Sequence, residues 1–248
     1  MAVQSYCFRG FKDCAAVARM TRQIGVASIE LCSIHVDFDK PQTFDTVIET
    51  YRDEGVEIVS IGVERIGTDE AKARHRFEFL KRCGAGVMNV DFSPDDVPHC
   101  YRLAESLADE YDMRLAIHNH GGRHWLGSAQ MLGHVLGRTS RRIGLCLDTA
   151  WALDSGADPV EMVKQFGNRL YAVHIKDFVF DRARRPEDVV VGSGNLDLSA
   201  FRAALDEVDF NGPSVLEYEG DVDDPVPTLR QCVDVVRREA GHSPLARG

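Results

Sequence analysis

No apolar run in this 248-residue chain approaches the length of a membrane span. The N-terminus, MAVQSYCFRGFKDC, lacks the basic-then-apolar order of a secretory signal. A soluble, cytoplasmic protein is expected. The seven cysteines include no CxxC pair, and their odd number excludes a fully paired disulfide framework, so buried reduced thiols are expected. No Pro-, Ser- or Gly-rich linker and no low-complexity tract divides the chain, which points to one domain over residues 1–248. Basic residues are in the minority, 29 Lys and Arg against 39 Asp and Glu, for a formal net charge of −10. Such a chain repels phosphate backbones, which argues against nucleic acid as a partner. The densest basic run, RARRPED at 182–188, reads as a solvated loop, with contact to an anionic substrate as the alternative.

What is present is a regular alternation. VQSYCF, VASIELC, EIVSIGV, VMNVDF, RLAIHN, IGLCLD, LYAVHIK and SVLEYE are short and rich in Val, Ile and Leu, as buried parallel strands are. Amphipathic runs lie between them. CAAVARMTRQIG ends in a glycine stop, and DEAKARHRFEFLKRCG places acids first and bases last, which suits the helix dipole. DDVPHCYRLAESLADEYD, SAQMLGHVLG, DPVEMVKQFG, DLSAFRAALDEV and VPTLRQCVDVVRREAG continue the series, with Asp158 and Asp197 as N-caps. Eight such units in about 250 residues predict a single (β/α)8 barrel. The rival, a doubly wound open sheet, would carry a Gly-rich phosphate loop after its first strand; FRGFKD stands there instead, and no nicotinamide cofactor is expected.

Chemistry in such a barrel gathers at the C-terminal ends of the strands. Strand five ends in His118, strand six in Asp148, strand seven carries His174 and strand eight Glu217. Two positions before each stand Ala116, Cys146, Ala172 and Val215, all small and of the same strand parity. A polar ring above small residues is the pattern expected when four side chains converge on the barrel axis. Two imidazoles and two carboxylates suit a divalent transition metal. By the same parity His120, Lys176 and Glu219 point inward one layer nearer the mouth. Asn119 should face the helix layer or the loop. His124, beyond two glycines, receives no assignment.

These blocks carry a resemblance. IELCSIHVDF, LAIHNH, LCLDTAWALDSGADPVEMV, YAVHIKDF, VGSGNLDLSAFRAAL and GPSVLEYEGD, in this order, resemble the sugar phosphate isomerase/epimerase proteins of the xylose-isomerase-like barrel superfamily, which also includes endonuclease IV. The resemblance implies one divalent ion (Mn, Zn, Co or Mg) held by His118, Asp148, His174 and Glu217, and a small carbohydrate as substrate. Three positions depart from the family. His118 stands where the epimerases have an acid/base Glu, Trp151 where a His is common, and Gly192-Ser193-Gly194 where Gly-Glu-Gly is common. The further metal ligands of endonuclease IV are not evident.

The leading expectation is therefore a metal-dependent isomerase or epimerase of a ketose, sugar phosphate or polyol, working by proton abstraction beside a carbonyl. Glu217, or a carboxylate beside it, would take the proton; Lys176 or His120 would support the oxyanion. Glu30, His35, Trp151 and Glu219 are expected to contact substrate. The close alternative is a lyase or dehydratase acting on a keto-sugar or keto-glycoside, favoured by the loss of the strand-five Glu. A non-catalytic sugar-binding barrel, or a phosphodiester nuclease needing a bi- or trinuclear centre and a basic groove, ranks lower. A homo-oligomer is allowed.

Overall fold

The computed structural model describes residues 1–121 and 123–241. In chain order the elements are β1 (Ala2–Gln4), α1 (Cys14–Gln23), β2 (Ser28–Leu31), α2 (Phe44–Asp53), β3 (Glu57–Arg65), α3 (Glu70–Cys83), β4 (Val87–Asp91), α4 (His99–Tyr111), β5 (Arg114–His118), α5 (Ala129–Leu136), β6 (Ile143–Asp148), α6 (Thr149–Asp154), α7 (Pro159–Phe166), β7 (Leu170–Ile175), β8 (Phe178–Phe180), β9 (Pro186–Asp188), α8 (Leu198–Glu207), β10 (Ser214–Leu216) and α9 (Val226–Glu239). Strands β1 to β7 and β10 are parallel neighbours in chain order, and β10 pairs with β1 to close the barrel. The (β/α)8 barrel expected from the alternation is the observed fold.

Local chemistry sets the helix boundaries. Asp13, Asp69, Ser128, Asp158 and Asp197 each accept a backbone N–H of the first turn of the helix that follows. Such a cap typically stabilises by about 1 kcal/mol. Helix α3 stops at Gly84, whose φ of +80° is the left-handed conformation that favours glycine. Among the described residues no helix is long and apolar enough to cross a membrane. All seven cysteines are free, and five of them, Cys7, Cys32, Cys100, Cys146 and Cys232, are buried.

The main apolar core lies between the strands and the helices; Ala116, Cys146 and Ala172 belong to a separate small cluster. Three of the four predicted inward-facing small residues thus pack together, apart from the outer core. Register places Val215 and Asp148 beside His174, and Cys146 beside His118. Gly144, the second residue of β6, is required by close approach: a Cβ there would collide with the Arg169 carbonyl and the Tyr171 ring. Gly144→Ala should cost about 2 kcal/mol. In a chain of this size that lowers Tm by roughly 4–8 °C in thermal unfolding; an unchanged Tm would show that β6 has slack at this point.

Three expectations are corrected here. The first strand ends at Gln4, and Ser5–Phe8 form a 3₁₀ turn, because the Gln4 side chain accepts the Tyr6 N–H and folds the chain over the barrel mouth. Helices α2 and α6 were not among the expected elements. The basic run at 182–188 is exposed as expected, but its last residues form β9, which pairs antiparallel with β8 in a hairpin beside the mouth.

Candidate metal centre

His118, Asp148, His174 and Glu217 meet at the C-terminal end of the barrel. Each is buried, and one donor atom from each lies within 4.8 Å of the others. His174 Nδ1 stands 3.1 Å from His118 Nε2 and 3.0 Å from Glu217 Oε2. Asp148 divides its two oxygens. Oδ1 caps α6 by accepting the Trp151 N–H at 2.8 Å, while Oδ2 faces His118 Nε2 at 3.6 Å. That Oδ2 is buried and, among the described residues, has no hydrogen-bond partner. An orphaned carboxylate oxygen, two imidazole nitrogens and a second carboxylate directed at one point fit a divalent ion with mixed N and O donors.

The centre is supported from below by groups on the other side of the barrel. Glu30, wholly buried on β2, accepts four hydrogen bonds: from His174 Nε2 at 2.9 Å, Gln4 Nε2 at 2.6 Å, Asn89 Nδ2 at 2.7 Å and Ser60 Oγ at 2.5 Å. The His174 ring is thereby held with Nδ1 toward the other donors. A carboxylate on the far nitrogen of a metal-binding histidine fixes its tautomer and raises its basicity. Asn119, expected toward the helix layer or the loop, is buried beside β6. It clamps β5 to β6, donating to the Asp148 carbonyl at 3.0 Å and accepting the Asp148 N–H at 2.8 Å. Asp177 likewise organises the Gly192-Ser193-Gly194 loop, accepting backbone N–H groups of Gly192, Gly194, Asn195 and Leu196, each at 2.9 Å.

Charge states follow from these contacts. Burial works against a charged His174, but Cys146, Glu30 and Glu217 outweigh it and raise the ring well above its ordinary value. Burial would raise Glu217, yet Lys176 and His174 overcome it and hold the carboxyl well below the usual range. Burial also opposes charge on Lys176, and Glu217, Asp148, Glu219 and Asp188 together hold it as an ammonium. His120 is pushed down to about 4 by burial and by the neighbouring His118 and His124.

Above the centre is a cavity of 340 Å³ lined by His118, His120, Trp151, Glu217 and Glu219, together with Gln4 and Tyr6. A larger cavity of 590 Å³ borders the starts of β2 and β10 and helices α8 and α9, and holds none of these groups. Lys176 is buried behind the lining, bonded to Glu219 and stacked 5.3 Å from the rings of Trp151 and Phe178. Two expected substrate contacts lie elsewhere. Glu30 is below the cavity with its oxygens saturated by protein donors. His35 is turned away by the backbone turn from Cys32, its Nε2 2.9 Å from the Phe11 carbonyl, and Ser33 and Ile34 line the cavity in its place.

The geometry can be set against known proteins. Residues 18–239 match the model of a family described as xylose isomerase-like TIM barrel. The chain belongs to this family. Within the xylose isomerase-like barrels, it is 30% identical over 133 residues to the inosose dehydratase of Geobacillus kaustophilus, covering 48% of this chain and 43% of that protein. The chain spans less than half the length of the curated relatives it matches, the rhizopine catabolism protein MocC of Rhizobium meliloti included. Among solved structures, the 3-keto-D-glucoside 4-epimerase YcjR of E. coli superposes with a TM-score of 0.74 at 15% identity, covering 96% of this chain and 98% of that one. The IolI protein with a bound zinc atom superposes with a TM-score of 0.76 at 16% identity, with the same coverages of 96% and 98%. At such identities these likenesses are of fold.

Proposed function

We propose that the chain is a metal-dependent enzyme that removes a proton from the carbon beside a carbonyl in a small keto-sugar or keto-polyol, and that the outcome is loss of a β-hydroxyl as water. The observation that carries the reading is the buried His118, Asp148, His174, Glu217 set directly beneath a cavity lined by carboxylates and Trp151. The kinship with inosose dehydratase over 48% of the chain and the zinc of the IolI protein support it.

A divalent ion held by these four groups would act as a Lewis acid on a carbonyl and acidify the adjacent C–H. Glu217, held ionised by Lys176 and His174, suits the role of ligand better than that of base. Glu219 lies two residues on, lines the same cavity and is 30% exposed on its side chain, so it can reach the substrate. It takes the proton from carbon. Lys176, released from the pair as Glu219 becomes neutral, donates to the oxygen that gains charge. The proton on Glu219 then leaves with the β-hydroxyl, forming water and a double bond between the two carbons. Trp151 offers an apolar face to the C–H side of the ring.

Elimination is favoured over inversion by placement. Both carboxylates that line the cavity, Glu217 and Glu219, come from one segment after β10, whereas inversion needs an acid on the opposite face as well. His118 occupies the β5 position from which such a group would come. An acidic chain with carboxylates lining its cavity is also poorly suited to phosphodiesters. The test is to incubate the metal-loaded protein with a panel of ketoses and keto-polyols and follow the products by mass spectrometry. A product lighter by one water is expected. Products of unchanged mass and altered stereochemistry would make it an epimerase instead.

Glu30 enters as a positioning residue. Glu30→Gln should leave the fold intact and weaken divalent-ion binding by about 10–100-fold, because His174 loses the carboxylate that orients it. Competition with a chelating dye reads this directly, and an unchanged affinity would assign Glu30 to packing alone.

A further inference from the structure

Beside the four-residue centre lies a second set of donors that the proposed reaction does not use. Asp91 ends β4, and His120 and His124 lie on the loop after β5. One donor atom from each lies within 4.8 Å of the others. Asp91 is 5% exposed, and only one of its oxygens is engaged: Oδ2 accepts from Arg65 at 3.0 Å. Among the described residues its Oδ1 is buried without a hydrogen-bond partner, and so is His120 Nδ1. His124 Nε2 lies 3.5 Å from that Oδ1. The His120 ring lies between those of His118 and His124, with centroid separations of 4.7 and 4.9 Å. A buried carboxylate oxygen and a buried imidazole nitrogen left without partners are costly unless something else satisfies both.

We infer that Asp91, His120 and His124 bind a second divalent transition-metal ion, of the zinc type, next to the first. Two imidazoles and a carboxylate are donors for such an ion, and three protein ligands leave a coordination position open. His120 lines the substrate cavity, so the open position faces the same space. The loop is held ready for this. His124 N–H donates to the Gly121 carbonyl at 2.8 Å, and Trp125 Nε1 donates to the Phe92 carbonyl at 2.8 Å, which ties the loop to the end of β4 next to Asp91. His124 Nδ1 accepts the Leu126 N–H at 3.2 Å, which leaves Nε2 as the nitrogen facing Asp91. Ligation through Nε2 moves the ring proton to Nδ1 and exchanges that long hydrogen bond for a metal–nitrogen bond. The spacing His-x-His-x3-His in residues 118–124 thus serves two neighbouring sites from one loop, the first histidine to one and the other two to the second. A second ion does not make the groove basic, since Glu217 and Glu219 still line it.

The test uses the full chain, stripped with a chelator and titrated with Zn(II), with bound zinc counted by elemental analysis after gel filtration. The wild type is expected to hold two ions per chain. His124→Gln and Asp91→Asn are each expected to hold one fewer, with the second-site affinity weakened by at least about 100-fold. Circular dichroism controls for folding, and the partly exposed His124 makes its variant the milder of the two. Stoichiometry unchanged from wild type in both variants would overturn the assignment. The proposed reaction depends on the other centre, so its failure would leave this count untouched.

Discussion

Asp148→Asn is expected to leave the barrel folded while removing the ion from the four-residue centre and lowering turnover by about 10³-fold or more. The fold survives because the amide oxygen can still accept the Trp151 N–H that starts α6. What is lost is the charge on the second, buried oxygen, which has no partner other than the site. Loss of Lewis-acid polarisation removes several kcal/mol of transition-state stabilisation, and each 1.4 kcal/mol is about tenfold in rate. His174→Ala should do the same. The wild-type centre should also bind its ion more weakly as pH falls. The His174 ring, raised well above its ordinary pKa, keeps its proton near neutrality, and an ion must displace it. Apparent affinity should then rise with pH through and above the ordinary histidine range, with the proton released on binding. Full metal content in both Asp148→Asn and His174→Ala would rule out the site.

The ring of four was legible because a parallel barrel turns strand parity into geometry. His118, Asp148, His174 and Glu217 each follow a small residue two positions earlier, and the chain need only close for them to converge. The support beneath them was harder to read. Gln4, Glu30, Ser60 and Asn89 are single polar residues inside apolar runs, and register brings Gln4 beside Glu30 and Glu30 beside Ser60. The clue was a buried polar residue on successive strands, but which groups bond depends on how far the strands are staggered around the barrel. Glu30 therefore looked like a substrate contact when it is a hydrogen-bond hub. Helix α2 was legible in principle, since Phe44 and Tyr51 are buried with Val47 and Ile48 packed beside them, a helical spacing. The β8–β9 hairpin was not. Its strands have three residues each, and one is Pro-Glu-Asp, too short and polar to signal pairing.

Exchange at carbon should separate the ligand from the base. In deuterated water, the metal-loaded wild type is expected to wash deuterium into the α-carbon of a responsive ketone, followed by NMR. Glu217→Gln should lose both the ion and the exchange, because its Oε2 is one of the four donor atoms beside His174 Nδ1. Glu219→Gln should keep the ion and slow exchange by about 10²–10⁴-fold, the range for removing a positioned general base. Lys176→Met should also keep the ion, since its ammonium bonds to Glu219 and lies near Asp188 and takes no part in the four-donor set. It should slow turnover, because no cation then meets the oxygen that gains charge. The two glutamates stand two residues apart on one strand end, so a merely structural effect would move metal content and exchange together in both variants. Exchange at the wild-type rate in Glu219→Gln would remove that residue from the chemistry and return the proton to a group this reading does not name. Turnover without any exchange would mean that loss of the hydroxyl outruns exchange of the proton on Glu219 with solvent, and a substrate deuterated at the α-carbon would then show a primary isotope effect on turnover.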